Sequence, residues 1–117
     1  TMPDSVSVAK GTLDVLVLRA LTWGAMHGFE IFAWIEDQSG EALELDDSAI
    51  YYALYRMEAR GLVKAKWGVT ANGRRARYYD STSTGKTHLR DETKKWLRYS
   101  HLVTGLLTTS VAGRFSR

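Results

Sequence analysis

Two stretches of alternating side chains, residues 62–67 and 75–80, flank the dipeptide Asn72-Gly73. Such alternation is typical of β-strands, in which successive side chains point to opposite faces of the sheet. Asn-Gly favours the tight turn that joins two antiparallel strands. The sequence therefore predicts a β-hairpin in the second half of the chain, and the segments before this hairpin decide the class of fold.

Three helical patterns precede the hairpin. Residues 12–21 are dense in Leu and Val over a length that exceeds a typical strand, which favours a largely buried helix. A second amphipathic pattern covers about residues 28–39. A third helix is predicted to begin at Asp46 or Asp47, either of which can cap it, and to end at Gly61. Three helices followed by a hairpin are the order of a winged helix-turn-helix.

A long fourth helix is predicted after the hairpin, with Thr82 as its N-cap. Its side chains form a heptad seam: Leu89, Thr93, Trp96, Ser100, Val103 and Leu107. One helix cannot bury such a seam alone, so a second copy of the chain is the simplest partner. The predicted dimer-interface residues are Leu89, Trp96, Val103 and Leu107. The alternative is that this helix folds back on its own domain.

Together these elements predict a mainly α fold with a small β-hairpin, of the α+β class. A winged helix-turn-helix domain is expected over residues 10–81, a C-terminal dimerisation helix over residues 82–108 and a flexible tail over residues 109–117. A chain of 117 residues with 44% hydrophobic content is long and apolar enough for one such domain with an added helix.

Charge is unevenly distributed along the chain, whose formal net charge is +3. Residues 30–47 include seven acidic and no basic residues, whereas residues 56–77 include seven basic residues and one acidic residue. A basic block of this density is a candidate for binding a polyanion such as nucleic acid. On charge alone, a solvated surface is an equally good interpretation.

The third helix is predicted to have two different faces. At about 100° per residue, Ile50, Leu54 and Met57 fall on one stripe that should face the core. Tyr and Arg occupy the opposite face, where they could reach the bases and phosphates of DNA, and the hairpin would act as the wing beside it. The predicted DNA-binding residues are Tyr51, Tyr52, Tyr55, Arg56, Arg60, Lys64, Arg74, Arg75 and Arg77. For Tyr51 the alternative is packing of its ring beside the first helix, and for the cations it is an ordinary solvated surface.

Several classes of protein are not indicated. The chain has no Cys, which excludes disulfides and thiolate metal sites, and its three His are too far apart for a metal-ligand pair. Phosphate loops, nucleophile elbows and paired carboxylates in an apolar setting are missing, so neither an enzyme nor a cofactor is predicted. No signal peptide or membrane-spanning run is present, and a cytoplasmic location is expected.

Five stretches carry a resemblance to a known family. They are residues 10–13 (Lys-Gly-Thr-Leu) leading into 17–21, residues 26–31 (Met-His-Gly-Phe-Glu-Ile), residues 50–58 (Ile-Tyr-Tyr-Ala-Leu-Tyr-Arg-Met-Glu), residues 60–63, and residues 74–79 followed by 82–86. With these motifs the chain resembles the PadR-like transcriptional regulators. It departs from the family at Tyr52, where Pro is frequent, and at Trp34, where a basic residue is frequent.

The resemblance implies a homodimeric repressor that binds a pseudo-palindromic operator; many members of the family are released from DNA by a small, often aromatic, effector. Trp96 on the seam is the first candidate for an effector-binding residue, with Trp34 as a second; the alternative for Trp96 is a tryptophan in the core of the interface. The rival class of function is a winged-helix module that binds protein instead of DNA. Such a module would need an apolar face on the third helix, where this chain has Tyr and Arg.

Overall fold

Four α-helices and two small sheets make up the part of the chain that the structure, a computed structural model, describes: residues 4–9 and 11–110. The helices are α1 (Leu13–Ala20), α2 (Gly28–Gln38), α3 (Asp47–Ala59) and α4 (Ser83–Thr108). The strands are β1 (Val6–Ser7), β2 (Met26–His27), β3 (Leu43–Glu44), β4 (Val63–Val69) and β5 (Arg75–Ser81). The predicted winged-helix order of three helices and a hairpin is confirmed.

The core is formed by the facing sides of α1, α2 and α3. Its buried apolar residues include Val17, Leu18, Ile31, Ile35, Ile50, Ala53, Leu54 and Met57. Leu62, Val63 and Tyr79 close the core from the hairpin side. The predicted core stripe of α3 is therefore correct, and burial of these side chains supplies most of the free energy that holds α3 in place.

Polar side chains define the ends of the helices. The ring of His27 accepts a hydrogen bond from the amide of Glu30, whose carboxylate accepts one from the amide of His27, so the two form a capping box at the start of α2. Thr82 caps α4 by accepting a hydrogen bond from the amide of Gly85 at 3.0 Å. The first helix is shorter than predicted: α1 ends at Ala20 and continues as a 3₁₀ turn over Leu21–Trp23.

The hairpin belongs to a three-stranded sheet with the order β2-β5-β4. Its strands pair in an antiparallel register with Lys66 opposite Tyr78, and Gly73 in the turn has φ +83°, as the Asn-Gly signal predicts. Strand β2 adds to the outer edge of β5 and was not predicted, because two residues are too short to show alternation. This extra pairing ties the start of α2 to the hairpin.

Helix α4 packs with its first half against the domain and then extends beyond it. The Cα radius of gyration is 17.5 Å and the longest dimension is 64 Å, whereas a compact domain of this length would have a radius of about 13 Å. Of the predicted flexible tail, residues 111–117 lie outside the described residues. Within the described residues, no helix combines the length and the apolar character needed to cross a membrane.

Candidate nucleic-acid interface

Helix α3 presents an exposed aromatic face opposite its buried stripe. The side chains of Tyr52 and Tyr55 are 69% and 71% exposed, although both are large and partly apolar. Tyr51 is half exposed, and its ring lies against Gly28 at the start of α2, where an added Cβ would be only 2.7 Å from Cζ of the ring. The ring of Tyr51 therefore packs on one side against the second helix, whereas the packing alternative placed it beside the first helix.

The start of α3 is set by Asp46. Its Oδ1 accepts a hydrogen bond from the amide of Ser48 at 3.1 Å, and the hydrogen bonds from Ser48 lower the pKa of the Asp46 carboxyl. Asp46 is therefore the N-cap, and Asp47 is the first residue of the helix. The negative cap suits the positive end of the helix dipole and fixes where the tyrosines begin.

Arg56 and Arg60 are both exposed, but they have different surroundings. The Arg56 guanidinium forms an ion pair with Asp14 of α1, with 2.9 Å between Nη2 and Oδ1. Arg56 thus links α1 to α3 and has part of its charge compensated. Arg60 follows the last residue of α3, where a cation interacts favourably with the carbonyl end of the helix dipole.

The tip of the wing carries two exposed arginines beside an exposed tryptophan. The Arg75 guanidinium stacks over the ring of Trp67 at 4.4 Å, and the Trp67 side chain is 57% exposed. Arg74 lies at the turn, where its amide donates a hydrogen bond to the hydroxyl of Thr70. Arg74 belongs to the closed turn and Arg75 is the first residue of β5, so both are attached to a well-defined backbone, which suits contact with a rigid polyanion.

Arg77 lies further down the wing and has a protein partner. Its Nη2 is 2.9 Å from Oε2 of Glu58 and its Nη1 is 3.3 Å from Oε1, which is a bidentate contact between the hairpin and α3. Arg77 is therefore distinct from Arg74 and Arg75, whose guanidinium groups lie further out on the wing.

Lys64 is separated from these arginines. It is paired with Asp80 in the hairpin, and Val63 and Ala65 on either side of it point to the core. The side chain of Lys64 consequently projects from the opposite face of the hairpin. Tyr52, Tyr55, Arg74 and Arg75 are thus all exposed, whereas Lys64 projects from the face of the hairpin opposite to that of Arg75 and Arg77.

The predicted seam of α4 divides into two parts. Leu89 packs against the core of its own chain, as the folding-back alternative predicts, whereas Leu107 is 80% exposed. Between them, Trp96 lines a cleft of about 380 Å³ together with Thr12 and Val15 of the α1 region and Tyr99 of α4. The first half of the helix is therefore bound within the chain, and the second half keeps exposed apolar side chains.

The sequence profile of the Transcriptional regulator PadR-like family matches residues 17–91, more than half of the chain. The chain belongs to the PadR-like family of transcriptional regulators. The match covers the winged helix from the middle of α1 to the first turns of α4, so the later part of the seam, from Thr93 onwards, lies outside it. Members of this family are transcriptional regulators and not enzymes.

Solved structures of PadR-like regulators share the fold. The chain is 26% identical to a PadR family transcription regulator from Clostridium difficile, with a TM-score of 0.72 over 83% of this chain and 99% of that chain. It is 26% identical to a PadR family regulator from Eggerthella lenta, with a TM-score of 0.69 over 86% of each chain. Bacillus subtilis PadR in complex with operator DNA is 22% identical, with a TM-score of 0.63 over 70% of this chain and 47% of that chain. This last likeness concerns the fold alone.

The two candidate effector residues of this PadR-like chain lie in different settings. Trp34 is on α2 and packs, partly buried, against the core, whereas Trp96 lines the cleft between α1 and α4. In the part of the chain that the structure describes, no three His, Asp or Glu side chains are grouped closely enough to hold a metal ion.

Sequence reasoning missed two residues of this surface. In the sequence, Glu58 stands out only as the one acidic residue in a basic block, and Trp67 only as part of an alternating strand. Glu58 and Arg77 are nineteen positions apart, and the residues between them show no pattern that links the two. Their contact depends on the path of the hairpin, which a single sequence does not reveal.

Proposed function

We propose that this PadR-like regulator is a homodimeric repressor that binds operator DNA in the cytoplasm. Helix α3 would enter the major groove with Tyr52 and Tyr55, while Arg74 and Arg75 on the wing would contact the adjacent backbone or minor groove. The observation that carries the proposal is the pair of exposed tyrosines on a helix whose other face is fully buried. Bacillus subtilis PadR, which shares the fold, was crystallised with operator DNA.

The other predicted DNA-binding residues are assigned weaker or less specific contacts than Tyr52, Tyr55, Arg74 and Arg75. Tyr51 and Arg56 each have a partner within the protein, and we assign them to the edge of the interface. Arg60 and Lys64 are exposed cations that would attract the phosphate backbone without reading its sequence. The alternative of a protein-binding module is less favoured, because tyrosine hydroxyls and guanidinium groups make this face polar.

The dimer is proposed from the free half of α4. Val103 is half-buried and Leu107 exposed on the predicted seam, and they would be covered by the same helix of a second copy. A twofold axis through this contact would present two copies of α3 to one DNA duplex. The operator would then consist of two inverted half-sites, about 10 bp apart from centre to centre or a multiple of that spacing.

Selection of bound duplexes from a random DNA pool tests these statements together. We expect recovery of an inverted repeat with the spacing given above. The same selection with Val103→Asp, which places a charge on the seam, is expected to lose the two-site pattern. If the intact protein enriches no sequence at all, the proposed function is wrong and the protein-binding alternative gains support.

An effector site is proposed at Trp96. The cleft that it lines would become deeper in a dimer if the two copies of α4 approach there, and two indole rings could then enclose a flat aromatic molecule. Titration with planar aromatic compounds should quench tryptophan fluorescence and release DNA, and Trp96→Phe should reduce the quenching strongly. Trp34→Phe is the control; an equal loss of quenching in this variant would place the ligand elsewhere.

A further inference from the structure

One ion pair joins α3 to the wing within the residues that the structure describes. It is the bidentate contact between Glu58, one turn from the exposed Tyr55, and Arg77 on β5. The two side chains are 33% and 40% exposed, so water screens the pair only in part. This contact therefore links α3, which we propose enters the major groove of DNA, to the hairpin, which we propose contacts the DNA backbone.

The Arg77 side chain is held on several sides. Its guanidinium lies 5.6 Å from the ring centre of Tyr79 and 6.0 Å from that of Trp67. Its Nε is buried and has no hydrogen-bond partner among the described residues. To reach a phosphate, this guanidinium would have to leave the Glu58 carboxylate and its place beside the Tyr79 ring, which makes it poorly suited to contact DNA.

At the level of Arg77 the hairpin has one other attachment, where β2 pairs with Tyr78 and Tyr79 and the ring of His27 contacts that of Tyr78. Beyond Tyr79, which is buried, the core-side face of the hairpin carries Trp67 and Val69, which are both exposed. Apolar packing therefore ends close to Arg77, and the Glu58 contact lies where the hairpin leaves the core. An ion pair at this point is placed to hold the tip, with Arg74 and Arg75, at a set angle to α3.

We propose that Glu58 and Arg77 are positioning residues that fix the wing relative to the recognition helix. Arg77 acts through Glu58 and not by contact with DNA. The pair lets α3 enter the groove while Arg75, stacked on Trp67, reaches the backbone at the same time. This inference rests on the proposed DNA binding and revises the sequence-based assignment of Arg77 as a DNA contact.

Replacement of Glu58 by Gln distinguishes DNA contact by Arg77 from positioning of the wing, because the two roles predict changes of opposite sign in operator affinity. If Arg77 bound DNA, removing a nearby carboxylate would free the guanidinium and strengthen binding. Loss of a positioning contact should instead weaken binding to the selected operator by about fivefold, within the range measured for coupled neighbouring residues. The control is Glu36→Gln on α2, which removes the same charge away from the wing and should leave affinity for this duplex unchanged or slightly higher.

Exchange of the two charges gives a second test with no change in net charge. Arg77→Glu alone places two carboxylates together and should weaken operator binding by more than about tenfold. The double variant Glu58→Arg/Arg77→Glu restores an ion pair and should recover affinity to within about threefold of the unmodified protein. If the double variant binds as weakly as Arg77→Glu, position 77 contacts DNA and the positioning role is wrong.

Salt dependence and thermal stability complete the test. Glu58→Gln should leave the slope of log K against log salt unchanged, since no phosphate contact is lost, and should shift Tm by less than about 2 °C. If the slope of log K against log salt becomes shallower by about 2 for the dimer in Arg77→Met, then Arg77 contacts a phosphate and the inference is wrong. If the unmodified protein selects and binds no DNA, the proposed function is wrong. If the unmodified protein binds normally but the double variant Glu58→Arg/Arg77→Glu does not recover affinity, only the positioning role is wrong.

Discussion

Replacement of Gly85 by Ala is expected to destabilise the domain by about 3 kcal/mol. Gly85 is buried in the first turn of α4, directly opposite the carbonyl group of Leu62. A Cβ at this position would lie far inside van der Waals contact of that oxygen, which also accepts a hydrogen bond from the amide of Thr82. The backbone of β4 and the start of α4 would have to separate, and the N-cap of α4 would be strained with them.

Thermal unfolding measures this effect, with a drop in Tm of roughly 10 °C or more. Gly105→Ala is the matched control in the same helix, because a Cβ added there would meet no atom of the described residues within 4 Å. Alanine there should stabilise the helix by about 0.5–1 kcal/mol through its better helix propensity. If Gly85→Ala were as stable as Gly105→Ala, α4 would not be seated on Leu62 as described.

Operator binding is expected to weaken by about a thousandfold when salt is raised from about 50 to 200 mM. If each subunit neutralises roughly three phosphates, the slope of log K against log salt is near −5 for the dimer. Arg74, Arg75 and Arg60 are exposed cations that could supply these contacts, while Arg56 and Arg77 already have carboxylate partners. A flat salt response would contradict the polyanion interface.

Single substitutions distinguish residues that bind DNA through charge from residues that recognise its sequence. Arg75→Ala should make the slope shallower by about 2 for the dimer and weaken binding to all sequences alike. Tyr52→Ala should leave the slope unchanged and alter which operator is preferred. Arg98→Ala, an exposed cation on α4, is the control and should change neither quantity. The reverse pattern for Arg75 and Tyr52 would show that their roles have been exchanged.

Local signals in the sequence were enough to predict most secondary structure. The buried stripe of α3, its cap at Asp46, the turn at Gly73 and the cap of α4 at Thr82 each depend on residues within a few positions of one another. These features follow from helical periodicity and from backbone hydrogen bonds that must be satisfied locally. The exposed tyrosines were found in the same way, because the opposite face of an anchored helix must be exposed.

Features that depend on distant residues could not be predicted. Strand β2 is two residues long, and it exists because β5 offers it a free edge. The packing of Tyr51 on Gly28 requires two helices to cross at that point, and the partner of Arg77 is known only once the hairpin is placed beside α3. Each of these contacts joins elements whose separation in the sequence shows no periodic signal.

Local patterns were enough to predict the order of the elements, the faces of α3 and an apolar seam on the last helix. Packing of the whole domain was needed to show that Leu89 is used within the chain while Leu107 remains exposed. It was also needed to show that, among the described residues, Arg77 meets a carboxylate while Arg74 and Arg75 do not. Periodicity and capping act over one or two turns of chain. Burial and ion pairing instead depend on which surfaces meet, and this is settled when the whole domain packs.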